Sequence, residues 1–557
     1  MKNKYFAITF LLCNFFALSN SFAQAPAWTW AKSAGGNYYD EGSAVTTDNS
    51  GNVYSVGYFY NDTIVFGVDT FRNVGQNDLF LVKYNSSGNI LWAKHAGGTG
   101  DDYASAVTTD LYGNIYVVGW YSSPTIVFGS TVLTDTIVGL PDIFIVKYNP
   151  NGNVIWARKE GGTDYDIANG VVTDPTNGQV YLAGAYYNSS ITVGTTTLAN
   201  NGLYDELLVK YDTAGNPLWA KSSGGTLNDL GNAIALDNSG NVYVDGGFAS
   251  SSMTFGTTTL TNVAAGEPDI FIVKYDSAGN VLWARSDGGI DNDHAVACAT
   301  DAWGNVFAAG HYHSTGFTFG TSTLTNGGMG DVFILKYDSV GNALWGKSAG
   351  GMDMDFGYSV AVDASGNSYF AGMFMSPTIT FGTTTLTNAS MNQDMFLVKY
   401  DSTGNEIWAI GEGGMGDDYI DCVTTDNAGD LYVSGDIGST SLQLGSSTLT
   451  NADTSGSTTD VFVGKLDVVT GANEWSADKN FSIYPNPSNG IFTISGDKWQ
   501  MTGGRLEIYN ALGEKVFEKE NVSGNTCEIN IGNLSDGIYF LKMISEGKIY
   551  EGKIVKE

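Results

Sequence analysis

The sequence has few basic residues and little charge overall. Lys and Arg number 26 against 58 Asp and Glu, which gives a formal net charge of −32, and only 15% of residues are charged. A chain with so few cations lacks the surface that displaces counterions from nucleic acid or from an anionic membrane, so we expect no nucleic-acid partner. Aromatic residues make up 13% of the chain, which excludes a disordered polymer.

Long hydrophobic runs and a 3.6-residue helical period are also missing, except at the N-terminus. Lys2 and Lys4 precede an apolar stretch over residues 5 to 18, and small residues end at Ala23. This pattern predicts a signal peptide over residues 1–23 and therefore export. Because no later run is long and apolar enough to cross a bilayer, we expect no membrane span in the mature chain.

Cysteine is scarce as well. Of the four, Cys13 lies in the signal peptide, which leaves Cys298, Cys422 and Cys527. An odd number in an exported chain leaves at least one free thiol and does not indicate a disulfide framework. Cys298 and Cys422 stand where other repeats carry small apolar residues, so we interpret both as small buried hydrophobes.

The sequence is rich in glycine, with 72 residues, and in internal repeats. The clearest marker of the repeats is a tryptophan that recurs every 62 to 67 residues: Trp30, Trp92, Trp156, Trp219, Trp283, Trp345, Trp408 and Trp475. These eight tryptophans bracket seven units. Fixed periods of this kind indicate a repeat architecture.

Each unit contains short β-branched and aromatic runs bounded by Gly, Asn and Asp, which predict four main strands and a hairpin. Seven such units fit an all-β, seven-bladed β-propeller over residues 24–478 better than an open solenoid, whose coils are shorter. The eighth Trp-type strand leaves closure open. Either residues 28–30 or residues 471–475 complete the last blade, and we favour the N-terminal strand.

The repeat signature resembles the SBBP repeat family, which is named for a seven-bladed β-propeller. The match covers roughly residues 28 to 475, and it implies a fold without an activity, ligand or site. In the second copy the signature is carried by Gly97, Gly98, Asp102, Asp110, Gly113, Asn114, Tyr116 and Gly119.

The C-terminal segment, residues 480–557, differs in composition from the repeats. Alternating strands and Asn-Gly turns predict a small β-sandwich. The motifs at residues 484–490, 506–516, 534–542 and 552–556 also resemble the type A C-terminal sorting domain of the Bacteroidetes type IX secretion system. This resemblance implies delivery across the outer membrane by the type IX machinery, usually followed by removal of the domain.

Three aspartate positions recur in all seven repeats. The first set is Asp40, Asp102, Asp166, Asp229, Asp293, Asp355 and Asp418. The second set is Asp48, Asp110, Asp174, Asp237, Asp301, Asp363 and Asp426. The third set is Asp78, Asp142, Asp205, Asp269, Asp331, Asp394 and Asp460. We interpret all three as structural, because a carboxylate beside a tight turn accepts backbone N–H bonds. The alternative is calcium bound by the first set around the channel, and no other cofactor is expected.

Basic residues also recur, and we expect them to pair with the repeated aspartates. One series is Lys83, Lys147, Lys210, Lys274, Lys336, Lys399 and Lys465. The other series is Lys32, Lys94, Arg158, Lys221, Arg285 and Lys347. A basic ligand patch is the alternative interpretation.

No catalytic residues are predicted, because the chain has no nucleophile elbow and no glycine-rich phosphate loop before a helix. His294, His311 and His313 fall in the fifth repeat and suggest a zinc site only weakly, since nothing fixes His294 beside the other two. We therefore predict no metal site and interpret these histidines as surface residues.

One position that varies between repeats predicts where a ligand binds. It follows the glycine of the second strand and is occupied by Tyr58, Trp120, Ala185, Gly247, His311, Met373 and Asp436 in turn. Tyr58, Trp120 and His311 are the candidate ligand-binding residues, and the aromatic pair suits a sugar or peptide surface. We expect a non-enzymatic module that binds an unknown glycan or protein. The alternatives are a propeller enzyme acting on extracellular polysaccharide and a passive adhesive spacer.

Overall fold

The computed structural model describes residues 25–467, apart from 61–62, 136, 138 and 389, and residues 482–556, apart from 487, 496–500, 511–514, 525, 536 and 546–547. The predicted signal peptide, residues 1–23, and the alternative closing strand expected at residues 471–475 lie outside the described residues. The chain forms two compact units, divided between residues 468 and 469.

The first unit contains seven four-stranded antiparallel sheets within its described residues. The innermost strands are Asp40–Thr47 (β2), Asp102–Thr109 (β8), Asp166–Thr173 (β14), Asp229–Leu236 (β20), Asp293–Thr300 (β26), Asp355–Val362 (β32) and Asp418–Thr425 (β38). The second strands are Val53–Tyr60 (β3), Ile115–Tyr121 (β9), Val180–Tyr186 (β15), Val242–Phe248 (β21), Val306–Tyr312 (β27), Ser368–Phe374 (β33) and Leu431–Ile437 (β39).

The third strands are Asn77–Tyr84 (β6), Asp142–Tyr148 (β12), Asp205–Tyr211 (β18), Asp269–Tyr275 (β24), Asp331–Tyr337 (β30), Asp394–Tyr400 (β36) and Asp460–Asp467 (β42). The outer strands are Ala27–Ala34 (β1), Ile90–Ala96 (β7), Val154–Glu160 (β13), Pro217–Ser223 (β19), Val281–Asp287 (β25), Ala343–Ala349 (β31) and Glu406–Glu412 (β37).

A two-stranded hairpin connects the second and third strands of each sheet. The hairpins are Thr63–Phe66 with Asp69–Arg72 (β4, β5), Thr125–Phe128 with Thr131–Thr134 (β10, β11), Ser190–Val193 with Thr196–Ala199 (β16, β17), Ser252–Phe255 with Thr258–Thr261 (β22, β23), Gly316–Phe319 with Ser322–Thr325 (β28, β29), Thr378–Phe381 with Thr384–Thr387 (β34, β35) and Ser441–Leu444 with Ser447–Thr450 (β40, β41).

These sheets pack around a central channel as the blades of a β-propeller, and the all-β prediction is confirmed. Each innermost strand contacts those of its neighbours, and β2 contacts β38 and β39. Strand β1 pairs with β42, so the N-terminal strand completes the last sheet, as we favoured from the sequence. We number the blades 1 to 7 by their innermost strands, from β2 to β38.

The hydrophobic core lies between neighbouring blades. Second and third strands are buried along nearly their whole length because a blade covers each face. One core cluster, for example, combines Val53 and Phe80 of blade 1 with Val461 and Val463 of blade 7. The outer-strand tryptophans add a link between blades, since the Trp92 indole N–H donates to the Pro150 carbonyl of the next blade at 3.2 Å.

A β-bulge in every innermost strand shapes the channel and explains one repeated glycine. In blade 2 the register shifts between Ala104 and Ala106, and the Tyr103 carbonyl turns towards Gly119. A Cβ on Gly119 would lie 1.9 Å from that carbonyl oxygen. The equivalent distance is 1.8 to 2.1 Å in all seven blades, so only glycine fits.

Replacing Gly119 by alanine is expected to destabilise the propeller by about 2–4 kcal/mol, because backbone atoms cannot move aside as side chains do. Gly411→Ala is the matched control: its Cβ would lie 3.2 Å from the end of the Leu386 side chain, in a strand position that carries serine in other blades. Urea denaturation of both variants measures the effect. Equal stability of the two variants would contradict the bulge explanation.

The second unit is a small β-sandwich. Its strands are Ser482–Tyr484 (β43), Ile491–Ser495 (β44), Met501–Asn510 (β45), Lys515–Gly524 (β46), Thr526–Asn530 (β47), Gly537–Ser545 (β48) and Lys548–Lys556 (β49). They form a three-stranded sheet, β43-β44-β47, and a four-stranded sheet, β46-β45-β48-β49. A separate core that includes Phe492, Leu506 and Leu541 lies between the two sheets.

Candidate binding site at the channel mouth

The channel has two chemically different ends. We call the end where the innermost strands begin the entry end, and the opposite end the exit end. A cavity of about 330 Å³ opens at the entry end, and we call it the entry mouth. Its lining consists of Glu41, Gly42, Ser43, Tyr103, Ala104, Ser105, Trp120, Tyr358 and Asp421. The exit-end cavity, of about 400 Å³, is lined largely by threonine and aliphatic residues.

Three repeat positions supply the side chains of the entry mouth, and all three vary between blades. The second residue of the innermost strand is Glu41, Tyr103, Ile167, Leu230, His294, Phe356 or Tyr419. The fourth is Ser43, Ser105, Asn169, Asn232, Val296, Tyr358 or Asp421. In blades 1 and 2 both positions line the cavity, because the second and fourth residues of a strand point to the same face. Together with the variable position on the second strand, these positions make the mouth unequal around the ring.

Aromatic side chains of blades 1 and 2 form a continuous run at the entry mouth. The Tyr58 and Tyr103 ring centroids lie 4.2 Å apart, and Tyr103 stacks on Trp120 at 4.3 Å with 25° between the ring planes. The Asn77 side-chain amide donates to the Tyr103 hydroxyl at 2.6 Å. Trp120 therefore lines the cavity as a candidate ligand residue, while Tyr58 supports it through Tyr103.

A second group of aromatic side chains, from blades 6 and 7, lies on the other side of the entry mouth. Tyr358 lies 6.2 Å from Phe356, with nearly parallel planes, and 6.3 Å from Tyr419. His311 contacts Phe356 at 4.6 Å and stands behind it, outside the cavity lining. The structure thus places Tyr58 and Trp120 in one run but puts His311 two rings away from the mouth.

The His311 ring is largely buried, so its interpretation as a surface residue is wrong, and this burial together with His294 and His313 lowers its pKa to about 3. The centroid of the His311 ring is 5.8 Å from that of His294 and 5.9 Å from that of His313. Within the described residues, no group of three or more His, Cys, Asp or Glu side chains is placed to hold a metal ion.

Three carboxyl groups of blades 1 and 7 meet at the entry mouth. Glu41 accepts a hydrogen bond from the Tyr58 hydroxyl, and Asp436, which is fully buried, accepts the Gly42 N–H at 2.9 Å. Desolvation raises the pKa of Glu41, and the pKa values of Asp421 and Asp436 are raised by desolvation and by the neighbouring acids. The sequence interpretation did not single out Glu41, Tyr103, Tyr358 or Asp421.

The first aspartate set lies buried at the start of the innermost strands. In each blade its carboxylate accepts the N–H of the glycine four residues earlier, at 2.6 to 2.9 Å. Serine hydroxyls add a second bond in five blades, as from Ser123 to Asp102 at 2.6 Å. These hydrogen bonds give the first aspartate set a structural role within each blade.

The second set caps the turns at the exit end. Each of these carboxylates accepts the backbone N–H two residues later, at 2.8 to 3.0 Å. Five of them form ion pairs at 3.1 to 3.9 Å with lysines of the first basic series: Lys83, Lys147, Lys274, Lys336 and Lys399. Lys465 pairs with Asp430 instead.

The second basic series does not pair with aspartate in the described part of the propeller, and that expectation is wrong. Arg285 donates to the Gly341 carbonyl and lies over the Trp283 ring, and Lys94 lies over Trp92. The third aspartate set packs against the first glycine of each Gly-Gly pair. A Cβ on Gly97 would lie 2.1 Å from the Asp78 carboxylate, which explains the glycine.

Together, the two units define an exported all-β protein with a β-propeller and a C-terminal sandwich. Residues 482–557 match the family model of the secretion system C-terminal sorting domain. The chain is therefore a protein secreted by the type IX system to the cell surface or extracellular space, and the machinery of that system handles its C-terminal domain. Across the described residues, no helix combines the length and apolar character needed to cross a membrane.

Relatives are distant. The chain is 24% identical over 496 residues, 73% of its length, to the uncharacterized WD repeat-containing protein L264 of Acanthamoeba polyphaga mimivirus. It is 27% identical over 187 residues, 31% of its length, to the regulatory protein FlaEY of Caulobacter vibrioides. The chain spans 36% and 19% of these two relatives.

The matches among solved structures are also remote in sequence. Sqt1 from Chaetomium thermophilum is 11% identical with a TM-score of 0.38, and the match covers 74% of this chain and 97% of Sqt1. A puromycin hydrolase S511A mutant complexed with PGG is 10% identical with a TM-score of 0.34, over 71% of this chain and 58% of the hydrolase.

Proposed function

We propose that the mature protein is a non-enzymatic extracellular binding module whose propeller, built from SBBP-type repeats, recognises its ligand at the entry mouth. The observation that carries this proposal is the unequal ring of side chains at that mouth, above a framework that is otherwise repeated from blade to blade. Repeated positions maintain the fold, whereas positions released from packing are free to recognise a ligand.

The chemistry of the mouth suits a sugar ring or a peptide side chain. Trp120 and Tyr103 offer stacked aromatic faces, and Glu41 and Asp421 offer carboxyl oxygens beside them. A cavity of about 330 Å³ matches the lower range of small-ligand sites, so a terminal group of a glycan or protein fits it better than a whole domain.

A second candidate function follows from the same acids. Asp421 and Asp436 form a carboxyl pair of raised pKa, which is the kind of pair that glycoside hydrolysis employs. Only Asp421 of the two lines the cavity, however, and Asp436 is fully buried. This geometry favours binding, because a hydrolase needs both carboxyl groups at the scissile bond.

The domain boundaries complete the proposal. We assign residues 1–23 to a signal peptide, residues 24–478 to the propeller and residues 480–557 to the sorting domain. After export, removal of the sorting domain would leave the propeller as the functional unit. Surface retention and release into the medium are both compatible with this role.

The ligand can be found by probing arrays of glycans and peptides with the secreted protein, which also tests the proposal. Tyr58→Ala combined with Trp120→Ala should then weaken binding to the selected ligand by about 2–4 kcal/mol, the range of interface hot spots, without unfolding the ring. Tyr112→Ala is the control, since Tyr112 is an exposed tyrosine in a turn at the exit end. Unchanged affinity of the double variant would show that the ligand does not bind at the entry mouth. Hydrolysis of an arrayed glycan would favour the second candidate function, a glycoside hydrolase.

A further inference from the structure

The acids of the entry mouth have no basic partner among the described residues. The Asp436 carboxyl accepts the Gly42 N–H through Oδ1, while its Oδ2 finds no donor among the described residues, and the same is true of Asp421 Oδ2. Asp436 is fully buried and lies beside Asp421. The two groups come from adjacent strands of blade 7, and Glu41 approaches them from blade 1.

Every ion pair in the described part of the propeller lies elsewhere. Apart from Lys159 with Asp142, these pairs join lysines near the ends of third strands to exit-end acids. Burying two carboxylates side by side without a cation is unfavourable, so these two groups favour a proton shared between Asp421 and Asp436. A ligand that brings a positive charge can replace this proton.

The aromatic lining of the entry mouth indicates which kind of cation would bind beside the carboxyl groups. Trp120, Tyr103 and Tyr358 present aromatic rings, which attract an organic cation through their negative faces. A calcium ion needs six to eight oxygen ligands, which aromatic rings do not supply. Aromatic faces beside unpaired carboxyl groups are instead the combination that recognises an ammonium group.

We propose that the entry mouth binds its ligand through a primary ammonium group, which contacts Glu41 and Asp421 while the attached carbon skeleton packs on Trp120 and Tyr103. This inference rests on the proposed function and names the ligand class of the same site. Charge balances if the shared proton of the Asp421–Asp436 pair leaves to solvent as the ammonium group enters.

Proton release makes binding dependent on pH. The carboxyl groups must ionise to pair with the ammonium group, so affinity rises with pH until they are ionised and falls as they regain the proton. The phenols around them remain neutral, because burial and the neighbouring acids raise their pKa values. The titratable groups that face the acids are Tyr58, Tyr103, Tyr358 and Tyr419.

Matched amines test the proposal on the secreted protein. Calorimetric titrations compare D-glucosamine with N-acetyl-D-glucosamine, and an Nα-acetyl-lysine amide with its Nε-acetylated form, because acetylation converts the ammonium group to a neutral amide and keeps the carbon skeleton. At least one free amine should bind about tenfold more tightly than its acetylated form at neutral pH, and the pair that shows this preference identifies a sugar or a peptide source. Titrations in buffers of different ionisation enthalpy should show proton release.

Two variants separate this proposal from the proposed function. Asp421→Asn should abolish the preference for the free amine and leave binding of the acetylated forms unchanged, whereas Trp120→Ala should weaken all forms. Three results would overturn the ammonium proposal. They are equal affinity for free and acetylated forms, no saturable binding of either amine, and a preference for the free amine that survives in Asp421→Asn. If Trp120→Ala instead binds the free amine with full affinity and keeps the preference for it, the site lies outside the entry mouth.

Discussion

Replacing Asp245 by asparagine is expected to stabilise the propeller by about 2–5 kcal/mol near pH 8, since one pKa unit corresponds to about 1.4 kcal/mol. Asp245 is fully buried in the second strand of blade 4, and burial raises its pKa to about 8. In the described part of the protein neither of its carboxyl oxygens has a hydrogen-bond partner of good geometry. At this position the other blades carry Val, Ala or Ser.

The direction of the effect follows from the raised pKa. Between an unfolded-state pKa of about 4 and a folded-state pKa of about 8, the unfolded chain loses the proton while the folded protein keeps it. Wild-type stability therefore falls as pH rises through this window. Because asparagine does not ionise, the stability of the variant should not fall in this way as pH rises. Near the lower pH of this window, the wild type and the variant should be about equally stable.

Urea denaturation across this pH range measures the difference. Asp291→Asn, which changes an exposed aspartate, is the matched control and should show no such gain. Glu206→Gln tests the same physics at a second site, because Glu206 is also fully buried and its pKa is raised to about 8. A stability difference between wild type and Asp245→Asn that does not change with pH would contradict the assignment.

Deleting residues 482–557 is expected to abolish surface delivery and leave a folded propeller in the periplasm. The deleted segment is the matched sorting domain and has its own hydrophobic core, so its loss removes no residue from the cores between the blades. The signal peptide predicted over residues 1–23 would still direct passage across the inner membrane.

Cell fractionation and protease treatment of intact cells of the native host test this prediction. The truncated protein should resist protease added outside the cell and should unfold cooperatively once purified. Trp120→Ala in the full chain is the control, since a change at the entry mouth should not affect export. Normal surface delivery of the truncated protein would refute the sorting role.

Much of the fold could be predicted from the sequence because each blade repeats the same local physics. The tryptophan period, the Gly-Asn turns and the β-branched runs predicted repeated sheets, and the structure confirms the all-β propeller and its closure by β1. The inner-strand bulge was not predicted, because a single extra residue leaves no pattern until the partner strand is known. The glycine that it requires, Gly119 in blade 2, was visible only as a repeat signature.

The candidate site was predicted less completely. Tyr58 and Trp120 were identified because their position varies between repeats, and Trp120 lines the mouth. Glu41, Tyr103 and Asp421 stand at two further variable positions of the innermost strand, which lie two residues apart and therefore share one face. Comparing these two positions between repeats, as was done for the position of Tyr58, would have found them. His311 shares the variable position of Tyr58 but stands behind Phe356.

The central claim is that ligand binds at the entry mouth, and hydrogen–deuterium exchange locates binding most directly. The secreted protein is compared with and without the tightest-binding glycan or peptide from the array. Binding at the entry mouth should slow amide exchange in residues 41–43, 103–105, 356–358 and 419–421, where four blades meet the cavity. Protection confined to the exit-end turns at residues 48–52 and 110–114, with none at the entry mouth, would contradict it.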